Sequence, residues 1–115
     1  MLTHWARDRT RGQRLALERV VRRQTRDTAE QYGLLDRGLL RPGLKADVNV
    51  IDLDRLSLPA PEVRFDLPAR GRQLYQGVRG YQATIVNGVP IFENGEATGA
   101  LPGRLVRGAR PGSAA

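Results

Sequence analysis

The residues that could carry chemistry in this chain are few. His4 is the only histidine among 115 residues, and cysteine is absent. A zinc site built here would take its remaining ligands from Asp and Glu alone, whereas zinc sites draw mainly on His and Cys. His4 therefore reads as a helix histidine at a surface or subunit contact. Without cysteine there is no disulfide framework, no thiolate metal site and no thiol nucleophile. The serines are Ser57, in a proline-bounded loop, and Ser113, near the C-terminus. Neither is placed like a nucleophile facing an oriented base. Paired carboxylates remain, with Asp52 and Asp54, or Asp47 and Asp52, as the nearest acid and base combinations. Asp52 and Asp54 close an extended stretch, where aspartate commonly accepts amide protons in the turn that follows. Gly77-Val78-Arg79-Gly80 lacks the Lys-Ser/Thr ending of a phosphate-cradling loop.

The formal charge is +7, and Lys45 is the only lysine beside a large excess of arginine. Such a balance attracts phosphate backbones, so a small basic nucleic-acid-binding module is one reading. Against it, the arginines are scattered from Arg7 to Arg110 among carboxylates, and no aromatic residue interleaves with a basic cluster as a stacking platform would. The row Arg19, Arg22, Arg23 and Arg26 reads first as a solvated helix face. No apolar run reaches the length of about 18 residues that a membrane-spanning helix needs. With no secretory h-region at the start, the expectation is a cytoplasmic protein.

The elements that must position these residues fall into two blocks. Leu2, Trp5 and Ala6 recur at helical spacing, so Leu2 to Thr10 reads as a helix end broken by Gly12. Leu17, Val20 and Val21 repeat that spacing opposite the arginine row, predicting an amphipathic helix within Leu15 to Thr25. Asp27 and Glu30 have the spacing of a capping box for a third helix, and Gly33 supplies its stop. Beyond Gly33 the periodicity becomes extended. Asp36-Arg37-Gly38 and Arg41-Pro42-Gly43 are turns, and Ala46 to Asp52 alternates as a half-buried strand does. Leu53 to Gly80 is interrupted by Pro and Gly and reads as loop, with a brief strand at Gln73 to Gln76. Asn87-Gly88 lies between Tyr81 to Val86 and Val89 to Phe92, the signature of a two-residue hairpin turn. Pro90 places an edge in its second strand, and Glu93 to Glu96 forms another turn. The organisation predicted is helices over 1–33, strands over 34–108 and a disordered tail over 109–115.

The order of motifs resembles a known family. Leu17-Glu18-Arg19-Val20-Val21, Thr25-Arg26-Asp27-Thr28-Ala29, Asp36-Arg37-Gly38 and Arg41-Pro42-Gly43-Leu44-Lys45-Ala46-Asp47-Val48 are similar to the closing segment of the amidohydrolase superfamily. Thr84-Ile85-Val86-Asn87-Gly88, Gly95-Glu96-Ala97-Thr98-Gly99 and Pro102-Gly103-Arg104 resemble its final hairpin and tail. Leu2-Thr3-His4-Trp5-Ala6-Arg7-Asp8-Arg9 and Asp66-Leu67-Pro68 look like N-acyl-D-amino-acid deacylases, the D-aminoacylase type.

The resemblance implies an α+β fragment: the last helices of a (β/α)8 amidohydrolase barrel, then C-terminal strands of a small β-sandwich. It implies hydrolysis of carbon–nitrogen bonds other than peptide bonds, with zinc in the complete family enzyme. In that family the metal-binding histidines come early in the barrel, and the aspartate serving the metal-bound water precedes the segment matching Leu2 to Arg9. No catalytic, cofactor or metal role therefore transfers to any residue here, His4 included. The chain alone is expected to bind no cofactor, to be inactive, and to need the barrel as its partner. Asp47 matches a signature position, and the expectation is that it holds the Pro42-Gly43 turn. Exposed apolar surface and unpaired strand edges are expected too, because the amphipathic helix needs a sheet to cover. A purely structural partner module remains a second reading beside the basic nucleic-acid binder.

Overall fold

The computed structural model describes residues 1–108; the expected disordered tail, with Ser113, lies outside the described residues. Leu2–Asp8 winds as a π-helical turn, and two short α-helices follow, α1 (Leu17–Gln24) and α2 (Arg26–Gln31). Six strands come next: β1 (Val48–Ile51), β2 (Glu62–Leu67), β3 (Gly71–Tyr75), β4 (Tyr81–Val86), β5 (Val89–Glu93) and β6 (Glu96–Ala97). Helices first and antiparallel strands after is the α+β order that the change of periodicity predicts.

The helices form where apolar spacing and arginine-carboxylate pairs agree. On α1 the buried residue is Val20, at 1% exposure, packed among the N-terminal turn and α2. Its neighbour Val21 is 43% exposed and Leu17 is half-buried, so one of the three residues of the predicted apolar stripe is uncovered. The capping box does not form. Thr25 holds the N-cap position of α2 without a side-chain cap bond, its Oγ1 donating instead to Val21 O at 2.8 Å, while Asp27 pairs with Arg22 at 2.9 Å and Glu30 with Arg26 at 2.6 Å. Both carboxylates sit inside the helical turn beside guanidinium groups, and the charge-assisted pair replaces the cap. The stop at Gly33 is as the sequence predicts. The Leu34 N–H donates to Ala29 O at 2.8 Å and the Gly33 N–H to Glu30 O at 3.0 Å, closing the orphan carbonyls of the last turn.

The strands form a four-stranded sheet, ordered β1-β4-β5-β6, and a separate two-stranded ribbon, β2-β3. In the sheet, Asn87 at φ 50 and Gly88 at φ 82 make the turn between β4 and β5, with Val86 opposite Val89. A second Asn-Gly turn, Asn94 at φ 50 and Gly95 at φ 89, folds β6 onto Phe92 and Glu93. β5 is thus interior by order, yet its ladder with β6 leaves Pro90 unpaired on that side, where a residue without an N–H costs no bond. The ribbon corrects the reading of residues 53–80 as loop at β2, which the sequence does not announce, while the brief strand expected at Gln73 to Gln76 corresponds to β3, Gly71–Tyr75. Val63 faces Leu74 across it, and its turn runs through Ala69 and Arg70, both at φ 56.

Burial is sparse. Val20, Ala29 and Leu56 are the buried apolar residues among those described. The accessible surface is 9286 Å², where a folded monomer of 12.7 kDa exposes about 6,200 Å². The expectation of exposed apolar surface is met: Phe65 is 68% exposed and Leu74 72%. No helix among the described residues is long and apolar enough to cross a membrane.

Candidate functional site

Polar contacts converge where the segment 36–47 meets the β4–β5 turn. Asp47, the residue before β1, accepts the Asn87 N–H on Oδ1 at 2.8 Å and Arg37 Nη1 on Oδ2 at 3.0 Å. Arg37 in turn forks onto Asp36, Nε to Oδ1 at 2.9 Å and Nη2 to Oδ2 at 3.2 Å. The hydrogen bond from Arg37 holds the Asp36 carboxyl below the usual carboxylate range, and the same bond raises the Arg37 guanidinium. Backbone bonds lace the same point: Lys45 N–H to Asp36 O at 2.8 Å and Gly88 N–H to Ala46 O at 2.9 Å. Lys45 Nζ reaches Asn87 Oδ1 at 3.3 Å. Asp47 thus clamps the Asn87-Gly88 turn. This corrects the expectation that it holds the Pro42-Gly43 turn: the amide it accepts from lies 40 residues along the chain, beyond the reach of local reasoning.

A second tie joins the N-terminal turn to the loop after β1. Arg7 uses all five of its donors. Nε and Nη2 meet Asp8 at 2.6 and 3.0 Å, Nη2 also meets Leu56 O at 2.9 Å, and Nη1 bonds Leu53 O and, at 3.2 Å, Asp54 O. The bond to Arg7 holds the Asp8 carboxyl low. Leu56, the loop residue so anchored, is 4% exposed and packs where Gly80 approaches: a Cβ on Gly80 would lie 2.7 Å from Leu56 Cα. No local spacing in the sequence announces Arg7. Its acceptors are backbone carbonyls some 50 residues away, which carry no residue-type signal.

The remaining sequence candidates are not brought together. His4 is exposed and meets Trp5 edge to face at 5.2 Å, and no group of three or more potential ligands occurs among the described residues. Among the described residues, therefore, no donor set that fits a zinc ion is brought together. Ser57 is joined to Arg79 by a backbone bridge, N–H to O at 3.1 Å and 2.9 Å in the two directions. Asp52 accepts the Arg55 N–H at 3.1 Å, the turn role foreseen for it, and the Asp54 backbone carbonyl serves Arg7. Asp47 and Asp52 flank β1, which at about 3.3 Å per residue sets them roughly 16 Å apart, too far to serve one bond as acid and base. On the arginine row, Arg22 and Arg26 are paired with carboxylates, while Arg19 and Arg23 face solvent. Gly77 to Gly80 leads into β4, and its Arg79 backbone is engaged by Ser57. An open apolar cleft lies between β4, β5 and the returning segment 97–103, lined by Val86, Ile91, Phe92 and Leu101. Its lining carries no titratable side chain. Taken together, the polar centres among the described residues brace turns and loops, and none there assembles a nucleophile, a base and an electrophile.

Comparison with known proteins places this bracing in a family. Over 106 residues, 90% of this chain, it is 38% identical to an N-acyl-D-aspartate deacylase of Alcaligenes xylosoxydans xylosoxydans, covering 19% of that protein. Over 95 residues, 81% of this chain, it is 35% identical to an allantoinase of Deinococcus radiodurans, covering 20% of that protein. The chain thus spans about a fifth of the length of the curated relatives it matches. No solved structure matches it. The sequence model of the amidohydrolase family matches residues 1–92, which include the Arg7 tie, both α-helices and the Asp47 clamp, and the chain belongs to the amidohydrolase family.

Proposed function

We propose that this chain serves as the C-terminal part of an amidohydrolase that cleaves carbon–nitrogen bonds other than peptide bonds, with N-acyl-D-amino acids as substrates. Its work is structural: it closes the catalytic barrel and supplies strands to a small β-sandwich, while a partner portion carries the zinc ligands and the catalytic aspartate. The observation that carries this reading is the surplus of surface. An area of 9286 Å², against about 6,200 Å² for a folded monomer of this mass, leaves apolar faces for a larger body to cover. The match of this chain's residues 1–92 to the amidohydrolase family supports taking that body to be the rest of an amidohydrolase. The similarity to an N-acyl-D-aspartate deacylase favours an N-acyl-D-amino acid, and the similarity to an allantoinase makes a cyclic amide the second reading. On this reading the solvent-facing arginines are a hydrated helix face, and nucleic acid is no partner.

The test is complementation. The chain is mixed with a deacylase portion that lacks its own final fifth, and release of free D-amino acid is measured with and without zinc. Zinc-dependent turnover by the mixture, and by neither part alone, is the expected result. Turnover by this chain alone, or no gain on mixing, would sink the proposal. Assaying N-acyl-D-aspartate, a neutral N-acyl-D-amino acid and allantoin side by side separates the two substrate readings.

A further inference from the structure

Two Asn-Gly pairs with the same turn geometry sit in different surroundings. Asn-Gly is the dipeptide most open to intramolecular imide formation, because glycine places no side chain in the path of its own amide nitrogen. At Asn87-Gly88 the attacking Gly88 N–H is held by Ala46 O at 2.9 Å and the Asn87 side-chain oxygen by Lys45 at 3.3 Å, while Asp47, bound to the Asn87 N–H at 2.8 Å, ties residues 46–47 to the turn. The flanking ladder is long, since β4 continues against both β5 and β1. At Asn94-Gly95 the Gly95 N–H meets no acceptor among the described residues, and the Asn94 side chain makes no hydrogen bond there. The turn is held by the Asn94 N–H on Gln82 O at 2.8 Å, by the pairs Phe92 with Ala97 and Glu93 with Glu96, and by Thr98 on Ile91 and Pro90. A short ladder at a sheet end opens by local fraying far more often than an interior one.

We propose that Asn94 is a self-modification site, converting through a succinimide to aspartate and isoaspartate, while Asn87 is protected because the Asp47 clamp keeps Ala46 O on the attacking Gly88 N–H. The Gly95 amide nitrogen attacks Asn94 Cγ and forms the new C–N bond. The Cγ–Nδ2 bond breaks, and ammonia leaves carrying the proton given up by the Gly95 nitrogen. Water then adds to either imide carbonyl and reopens the ring. The product puts a third carboxylate between Glu93 and Glu96, where like charges repel, and in the isoaspartate form lengthens the backbone by a methylene. Both changes work against the two-residue strand β6.

The full chain is held at mildly alkaline pH and warm temperature, natively and in urea, and the two Asn-Gly peptides are followed by mass spectrometry with isoaspartate detection. Two additional hydrogen bonds on the reacting groups at Asn87 correspond to roughly tenfold slower conversion there than at Asn94 in the native chain. In urea the two rates converge. Equal native rates, or faster loss of Asn87, would overturn the proposal. The Asp47→Ala variant gives a second reading, with Asn94 as the internal reference. The Asn87 rate should rise toward that of Asn94 while the Asn94 rate stays put. An Asn87 rate that does not move overturns the protective role given to Asp47.

Discussion

The four-stranded sheet and the β2–β3 ribbon are built from similar alternating sequence, yet they are held by different means. The sheet is tied to distant chain at several points: Asp47 to Asn87, Ala46 O to Gly88, Asp52 N–H to Gly80 O at 2.8 Å, and Arg7 to the 53–56 loop. The ribbon is held mainly by its own ladder and its own polar face, where Arg64 lies 3.6 Å from the Tyr75 ring centroid and Gln73 donates to Asp66 at 2.7 Å. Its apolar face, Val63, Phe65, Leu67 and Leu74, is open to solvent. An isolated two-stranded ribbon is marginally stable in water. The sheet is therefore held from within this chain, and the ribbon leaves its apolar face uncovered.

The sharpest way to break that contrast is at Gly80. Its φ of 96 is a conformation that L side chains avoid, and an added Cβ would fall 2.7 to 3.0 Å from the Leu56 and Arg55 backbone. Gly80→Ala should cost about 3 kcal/mol or more, by strain plus backbone clash, and detach the 53–57 loop from β4. Gly88→Ala, at φ 82 with nothing within 4 Å, should cost only about 1 kcal/mol. Denaturant unfolding followed through the near-ultraviolet signal compares the two, and equal losses would remove Gly80 from its place in the packing.

The clamp comes next in size. Asp47→Ala removes the acceptor of one amide and one guanidinium, and should destabilise the sheet by about 1.5 kcal/mol. Hydrogen exchange should show the loss at Asn87 and Gly88 and spare the β2–β3 amides. Faster exchange in the ribbon would mean that the two regions are coupled after all.

What the sequence makes legible follows the same division. The β4–β5 hairpin is readable because Asn87-Gly88 is a local signal: its residue types alone tolerate positive φ. The helix stop at Gly33 and the turn role of Asp52 are local in the same sense. The β2–β3 hairpin escapes because its turn places Ala69 and Arg70, neither of them a turn former, at φ 56, so no Asn-Gly type signal marks a tight bend there. Glu62 to Leu67 does alternate, but the prolines at 59, 61 and 68 on either side of it read as loop. At the candidate site, Asp47 is visible as a signature position, while its partner is not. The donor it satisfies is a backbone amide 40 residues later, and register between strands is set by the whole sheet rather than by either segment. Arg7 is invisible for the same reason.

The smallest expected effect is the one that tests the ribbon as an unfilled surface. Phe65 is 68% exposed, so truncating it removes little buried area in this chain. Phe65→Ser should change the stability of the chain alone by no more than about 0.5 kcal/mol, the range of an ordinary surface substitution. In the complemented enzyme the same change should weaken association, because an aromatic side chain buried at an interface contributes far more than one left in water. Titrating the partner portion with wild-type and Phe65→Ser chains, activity being the readout, measures that difference directly. If Phe65→Ser destabilises the lone chain as much as Asp47→Ala does, the ribbon already packs within this chain. If it leaves both stability and association unchanged, the apolar face of the ribbon is not where the partner sits, and Val21 on α1 becomes the exposed apolar position to test.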